Sequence, residues 1–110
     1  KKIVEILYPY KKGTKNYKNW KKYYKGATGL LGLVIKAKSK NSVFKFINSL
    51  KLFGIGYSWG GFESLAVYQD IQREHKKYNS RDLHIVRLHI GLEDPKDLIM
   101  DIKNALRYLK

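Results

Sequence analysis

Apolar and polar positions follow two different periods along the chain. Residues 3–8 (IVEILY) are apolar and rich in β-branched side chains, and Pro9 closes the run, so they predict a first short strand. In residues 11–25 (KKGTKNYKNWKKYYK), Tyr17, Trp20 and Tyr24 recur at helical spacing. Lys15, Lys18, Lys21, Lys22 and Lys25 fall on the remaining surface, which predicts a solvated lysine face over an aromatic stripe. Gly26-Ala27-Thr28-Gly29 breaks that helix, and residues 30–37 (LLGLVIKA) are apolar almost throughout, as in a covered central strand. Asn41-Ser42 can cap a second helix with the stripe Val43, Phe44, Ile47 and Leu50, reaching to about Leu52.

The second half is less even. Residues 53–58 read as a third strand or extended segment, and residues 66–82 (AVYQDIQREHKKYNSRD) are polar and keep no single period. Residues 84–90 (HIVRLHI) alternate cleanly as a fourth strand. Alternation sends Val86, Leu88 and Ile90 to one face and Arg87 and His89 to the other. The last element carries its own start signal: Asp94 as N-cap, Pro95 at the first helical position and Asp97 in the first turn. Leu98, Ile99, Ile102, Ala105, Leu106 and Leu109 then repeat at helical spacing. Together these elements predict a single α+β domain over residues 1–110, with a mostly antiparallel sheet of about four strands and helices packed on one face.

Composition narrows the function classes. No cysteine is present, which excludes disulfides, thiolate nucleophiles and thiolate zinc sites. No apolar run approaches the roughly 18 residues that would span a bilayer, and nothing resembles a signal peptide, so a cytoplasmic domain with no membrane partner is expected. His75 and His84 have no metal-ligand spacing with another histidine, and no metal is expected. The chain opens on Lys1 and not on methionine, which fits a piece of something longer. A formal charge of +14 raises nucleic acid as a partner, but 19 of the 23 basic residues are lysine and only Arg73, Arg81, Arg87 and Arg107 are arginine. Base and phosphate recognition leans on arginine's planar fork, so specific nucleic-acid binding is not expected and the lysine excess reads as codon bias.

Residues 56–60 (GYSWG) fit the G-x-S-x-G spelling of a nucleophile elbow, with Asp70 or Asp82 and then His84 or His89 in the order of a triad. The context does not fit. No oxyanion segment precedes the match, Gly61-Phe62-Glu63-Ser64 follows it in place of a helical run, and 110 residues cannot hold a doubly wound hydrolase sheet. The glycines then serve a tight turn.

YSWGGFESL at 57–65, followed by VRLHIGLEDPKDLIMDI at 86–102, resembles the paired signature of the C-terminal domain of the pyridoxal-phosphate-dependent Cys/Met metabolism enzymes. ILYP at 6–9 and NWKKYYKGATGLLGLVIK at 19–36 fall in the family's order, so that all but residues 66–85 are covered. A Ser-Trp-Gly-Gly turn and a histidine after Arg-Leu resemble the branch of bacterial cystathionine β-lyases, where other members carry Ser-Leu-Gly-Gly and Arg-Leu-Ser.

The resemblance implies the small C-terminal domain of a fold-type I enzyme that splits L-cystathionine by α,β-elimination to homocysteine, pyruvate and ammonia, within transsulfuration and methionine biosynthesis. It implies that Arg87 grips the substrate α-carboxylate, that Ser58 and the Trp59 backbone line the same pocket, and that Tyr57, Gly60, Gly61 and His89 support it. An ion pair between Arg87 and a carboxylate such as Glu93 is the plainer reading of that arginine. Glu63-Ser64 would lock the turn, and His89 would be a hydrogen-bonded support and not a base. No catalytic residue is expected in this chain. The family's cofactor lysine follows Ser-x-Thr, and the one echo, Thr14-Lys15, sits in a lysine-rich loop and receives no catalytic role. Pyridoxal 5'-phosphate would belong to an N-terminal domain not encoded in residues 1–110, in the same or a separate chain, in a homo-oligomer acting on an amino acid. Alone the chain would bind no cofactor and be inactive. The alternatives are a γ-lyase-like or γ-synthase-like member of the same family, a non-catalytic remnant, or a basic domain that binds nucleic acid without sequence preference.

Overall fold

The computed structural model describes residues 2–70, 78 and 80–110. Its strands are β1 (Ile3–Leu7), β2 (Leu30–Lys36), β3 (Gly54–Ile55), β4 (Leu65–Gln69) and β5 (Leu83–His89). Its helices are α1 (Tyr17–Tyr23), α2 (Lys40–Ser49) and α3 (Pro95–Ala105), followed by a 3-10 turn over Leu106–Tyr108. One five-stranded sheet has the order β1-β2-β5-β4-β3. The β1–β2, β2–β5 and β4–β5 pairs are antiparallel, and β3–β4 alone is parallel. The α+β class and the mostly antiparallel sheet are as predicted, but there are five strands and not four. The additional one is β4, LAVYQ, whose small alanine and polar ends mask a strand that tertiary pairing with β5 supplies. The third strand shrinks from residues 53–58 to Gly54–Ile55, because the chain leaves the sheet at Gly56.

The core lies between one sheet face and the helices α2 and α3. Ile35, Ala66, Val86 and Leu88 meet Val43, Phe46 and Ile47 of α2 and Leu98 and Ala105 of α3. Ser39, not Asn41 or Ser42, caps α2: its hydroxyl accepts the Ser42 N–H at 3.2 Å. The helix phase puts Phe46 in the core with no exposure, while Phe44, expected in the stripe, is 38% exposed and packs edge-on against Tyr68 at 5.3 Å. The α3 start is as predicted, with Asp94 Oδ1 accepting the Lys96 N–H at 2.8 Å and Pro95 first in the helix. Ile99 departs from the predicted stripe and is exposed.

α1 differs more. It buries no residue, Tyr24 lies beyond its end and is exposed, and the aromatic side chains pack on one another and not on the main core. Trp20 stacks on Tyr17 at 5.6 Å, meets the Tyr10 ring at 4.6 Å and donates Nε1–H to the Gly26 carbonyl at 2.9 Å. A seven-residue helix of about two turns joins two loops and is held as a satellite cluster.

The parallel β3–β4 pair is what positions the site. Parallel neighbours cannot be joined by a hairpin, so residues 56–64 must run back along the sheet as a crossover. This crossover lies over the face opposite α2 and α3, where β5 presents Arg87 and His89.

Candidate functional site

The crossover meets β5 and the segment that follows it at three points. At its start, Arg87 donates a guanidinium N–H to the Tyr57 carbonyl, and its Cζ stands 5.6 Å from the Tyr57 ring centroid and 5.7 Å from that of Trp59. In its middle, His89 Nε2 is 3.1 Å from the Gly61 carbonyl oxygen; the ring is buried, and its Nδ1 has no hydrogen-bond partner. At its end, Leu92 N–H donates to the Phe62 carbonyl at 2.8 Å, and buried Ser64 bonds to Glu93.

The ion pair considered for Arg87 does not form. Glu93 spends both carboxylate oxygens on Ser64, accepting its N–H at 3.1 Å and its hydroxyl at 2.7 Å. These bonds, the hydroxyl's foremost, lower the Glu93 pKa, helped by the charge of His89. Among the described residues the one ion pair within 4.0 Å is Lys40–Asp70, at 3.2 Å, so none of them neutralises Arg87. Arginine carries five N–H donors in a fixed fork, and one of them on Tyr57 leaves others for an anion.

The remaining predicted residues are less tightly gathered. Ser58 and Trp59 are exposed, and with Gly61, Phe62, Glu63 and Leu65 they line a hollow of about 240 Å³ that Arg87 does not line. Ser58 is hydrogen-bonded to neither His84 nor His89. His84 Nδ1 lies 3.1 Å from Tyr68 Oη on the core side, and Asp70 pairs with Lys40. No helix follows Ser58, so the elbow geometry is absent. Gly60 has φ +79°, a conformation that favours glycine, whereas a Cβ at Gly61 would meet nothing within 4 Å. The sequence points to Ser64 as part of a turn lock and sets Glu93 against Arg87, and it misses the bond between Ser64 and Glu93. Their pairing has no local signal, because the bond spans 29 residues.

Every described lysine, Lys15 included, is exposed, and a lysine that carries pyridoxal phosphate needs an enclosed, desolvated setting. The described residues do not fit the cofactor. No group of three or more His, Asp or Glu among them could hold a metal ion, and no described helix is long and apolar enough to cross a membrane. Arg73 and His75 lie outside the described residues.

Residues 1–107 match the model of the family described as Cys/Met metabolism PLP-dependent enzymes. The chain is 36% identical over 107 residues to a putative cystathionine beta-lyase of Rhizobium johnstonii, covering 94% of this chain and 27% of that protein. It is 35% identical over 111 residues to an L-alanine/L-glutamate racemase of Wolbachia pipientis, covering 98% of this chain and 28% of that one. A crystal structure titled metB from Corynebacterium glutamicum superposes with a TM-score of 0.76 at 30% identity, over 96% of this chain and 28% of that one. The chain thus spans little more than a quarter of the length of these relatives, which are named for different activities. With its sequence match and its sheet both those of the family's members, the chain belongs to the Cys/Met metabolism PLP-dependent enzyme family.

Proposed function

We propose that residues 1–110 form the small C-terminal domain of a cystathionine β-lyase-like carbon-sulfur lyase and supply its recognition of the substrate α-carboxylate. The cofactor chemistry, α,β-elimination of L-cystathionine with water to homocysteine, pyruvate and ammonia, belongs to a pyridoxal-phosphate domain elsewhere in the same or a separate chain. The observation that carries this reading is Arg87: a guanidinium braced by Tyr57 and Trp59 with no carboxylate on it among the described residues. Ser58, the Trp59 backbone and the open turn at Gly60-Gly61 form the neighbouring wall, and His89 supports that wall through the Gly61 carbonyl. Tyr57, Trp59 and Phe62 are all at least 64% exposed, as expected of a wall completed by a second domain.

The test is kinetic. In a full-length or two-part enzyme, Arg87→Ala is expected to cost about 2–5 kcal/mol in kcat/KM for substrates with a free α-carboxylate and little for the α-carboxamide. Equal losses on both would remove the carboxylate role. Pyridoxal phosphate added to the isolated chain should give only scattered adducts on exposed lysines after reduction; one stoichiometric adduct would overturn the assignment of the cofactor to another domain.

A second reading is amino-acid racemisation, favoured by the 35% identical Wolbachia relative. It would use the same carboxylate grip, and an assay of L-alanine for loss of optical rotation separates it from pyruvate release.

A further inference from the structure

The loop that carries Ser58 and Trp59 is not held by burial of its own large side chains. Tyr57, Trp59 and Phe62 are 64%, 64% and 69% exposed, so apolar packing contributes little to its place. Polar contacts do the holding: His89 on the Gly61 carbonyl and the Leu92 N–H on the Phe62 carbonyl along its length, and one contact set at each end. At one end stands the Arg87 bond to the Tyr57 carbonyl. At the other, Ser64, with no exposure, gives its N–H and hydroxyl to the two oxygens of Glu93 while its Oγ accepts the Gly91 N–H at 2.9 Å. The loop and the segment after β5 come so close there that a Cβ on Gly91 would lie 2.1 Å from the Phe62 carbonyl oxygen.

We propose that Glu93 is a positioning residue: by gripping Ser64 it holds the crossover loop on β5, so that Tyr57 and Trp59 fix the Arg87 guanidinium in one orientation. The same grip keeps the Glu93 carboxylate occupied, so it does not neutralise Arg87. The use of that orientation for a substrate carboxylate rests on the function proposed above, whereas the positioning itself does not. Only the ionised carboxylate accepts from both Ser64 donors, since protonation converts one oxygen into a donor. The titratable groups around it are His89 at the end of β5, its chain neighbour Asp94 and, beside Ser64, Glu63.

The experiment is ¹⁵N relaxation on the 110-residue chain, with the Arg87 side-chain Nε–H and the Trp59 indole N–H as local reporters. In the parent chain, order parameters for residues 58–62 are expected in the rigid range of ~0.85; in Glu93→Gln they should fall below ~0.6, with both reporters shifted. Sheet and α3 amides away from the loop should stay in place. If Glu93→Gln fails to fold, Ser64→Ala and an acid titration of the parent chain give the same reading: both reporters should move with the carboxylate of Glu93 and not with those of Glu63 or Asp94. Reporters unmoved in the variants, even with a lowered melting temperature, overturn the proposal. The Arg87→Ala kinetics in the full-length or two-part enzyme separate the two claims, because a working Glu93–Ser64 grip with equal losses on the carboxylate and carboxamide substrates removes the carboxylate reading and leaves the positioning intact.

Discussion

Arg87 and Tyr57, thirty residues apart, are joined by a guanidinium N–H on a backbone carbonyl with the aromatic ring 5.6 Å from the same cation. A charged hydrogen bond contributes about 1.5–3 kcal/mol and an exposed cation–π contact about 0.5–1 kcal/mol. Arg87→Ala in the isolated chain should therefore lower stability by about 1–3 kcal/mol in urea denaturation. Arg87→Lys keeps the charge but not the planar fork and should recover less than half of that loss. Full recovery by lysine would mean that charge alone holds the contact.

Asp101 is a second long-range link, from α3 to the turn after α2. Its buried carboxylate accepts the Lys51 N–H at 2.9 and 3.1 Å and the Leu52 N–H at 2.8 Å. Asp101→Ala strands two backbone donors and is expected to destabilise by about 2–4 kcal/mol, with Asp101→Asn costing less because one oxygen remains. Hydrogen exchange at Lys51 and Leu52 should accelerate in the alanine variant; unchanged exchange would rule the link out.

Tyr68 makes the alkaline side testable. Burial pushes its phenol pKa up, the Lys40 charge opposes that and Asp70 adds to it. The folded phenol keeps its proton where the unfolded one has lost it, so stability is intact below the ordinary tyrosine value of about 10 and falls as pH rises from there through the raised value. Ultraviolet titration should show one late tyrosine, removed by Tyr68→Phe. A late step that survives that substitution would assign it to another residue.

Much of the fold is legible in the chain because the signals are local. The apolar runs at 3–8 and 30–37, the alternation at 84–90 and the Asp94-Pro95 start of α3 each depend on neighbours a few residues away. The resemblance of YSWGG and VRLHIGLED to a family was legible for the same reason. Other features were not. Phe44 and Phe46 compete for the core two residues apart, and Phe46 packs there with Val43, Ile47 and Leu50. β4 has too weak a pattern to be read alone and exists because β5 pairs with it along its whole length. The lysine-rich helix has the period of a core helix, yet α1 buries nothing.

The sequence by itself determined the class of fold, the closing helix and which face of β5 carries Arg87, since each follows from side-chain period and cap chemistry. Only the tertiary structure decided that Glu93 belongs to Ser64 and not to Arg87, and that the Ser58-Trp59 turn is a crossover laid on β5. Those outcomes turn on which buried donors must be satisfied once β3 and β4 run parallel, and a donor's partner 29 residues away leaves no mark on either local pattern.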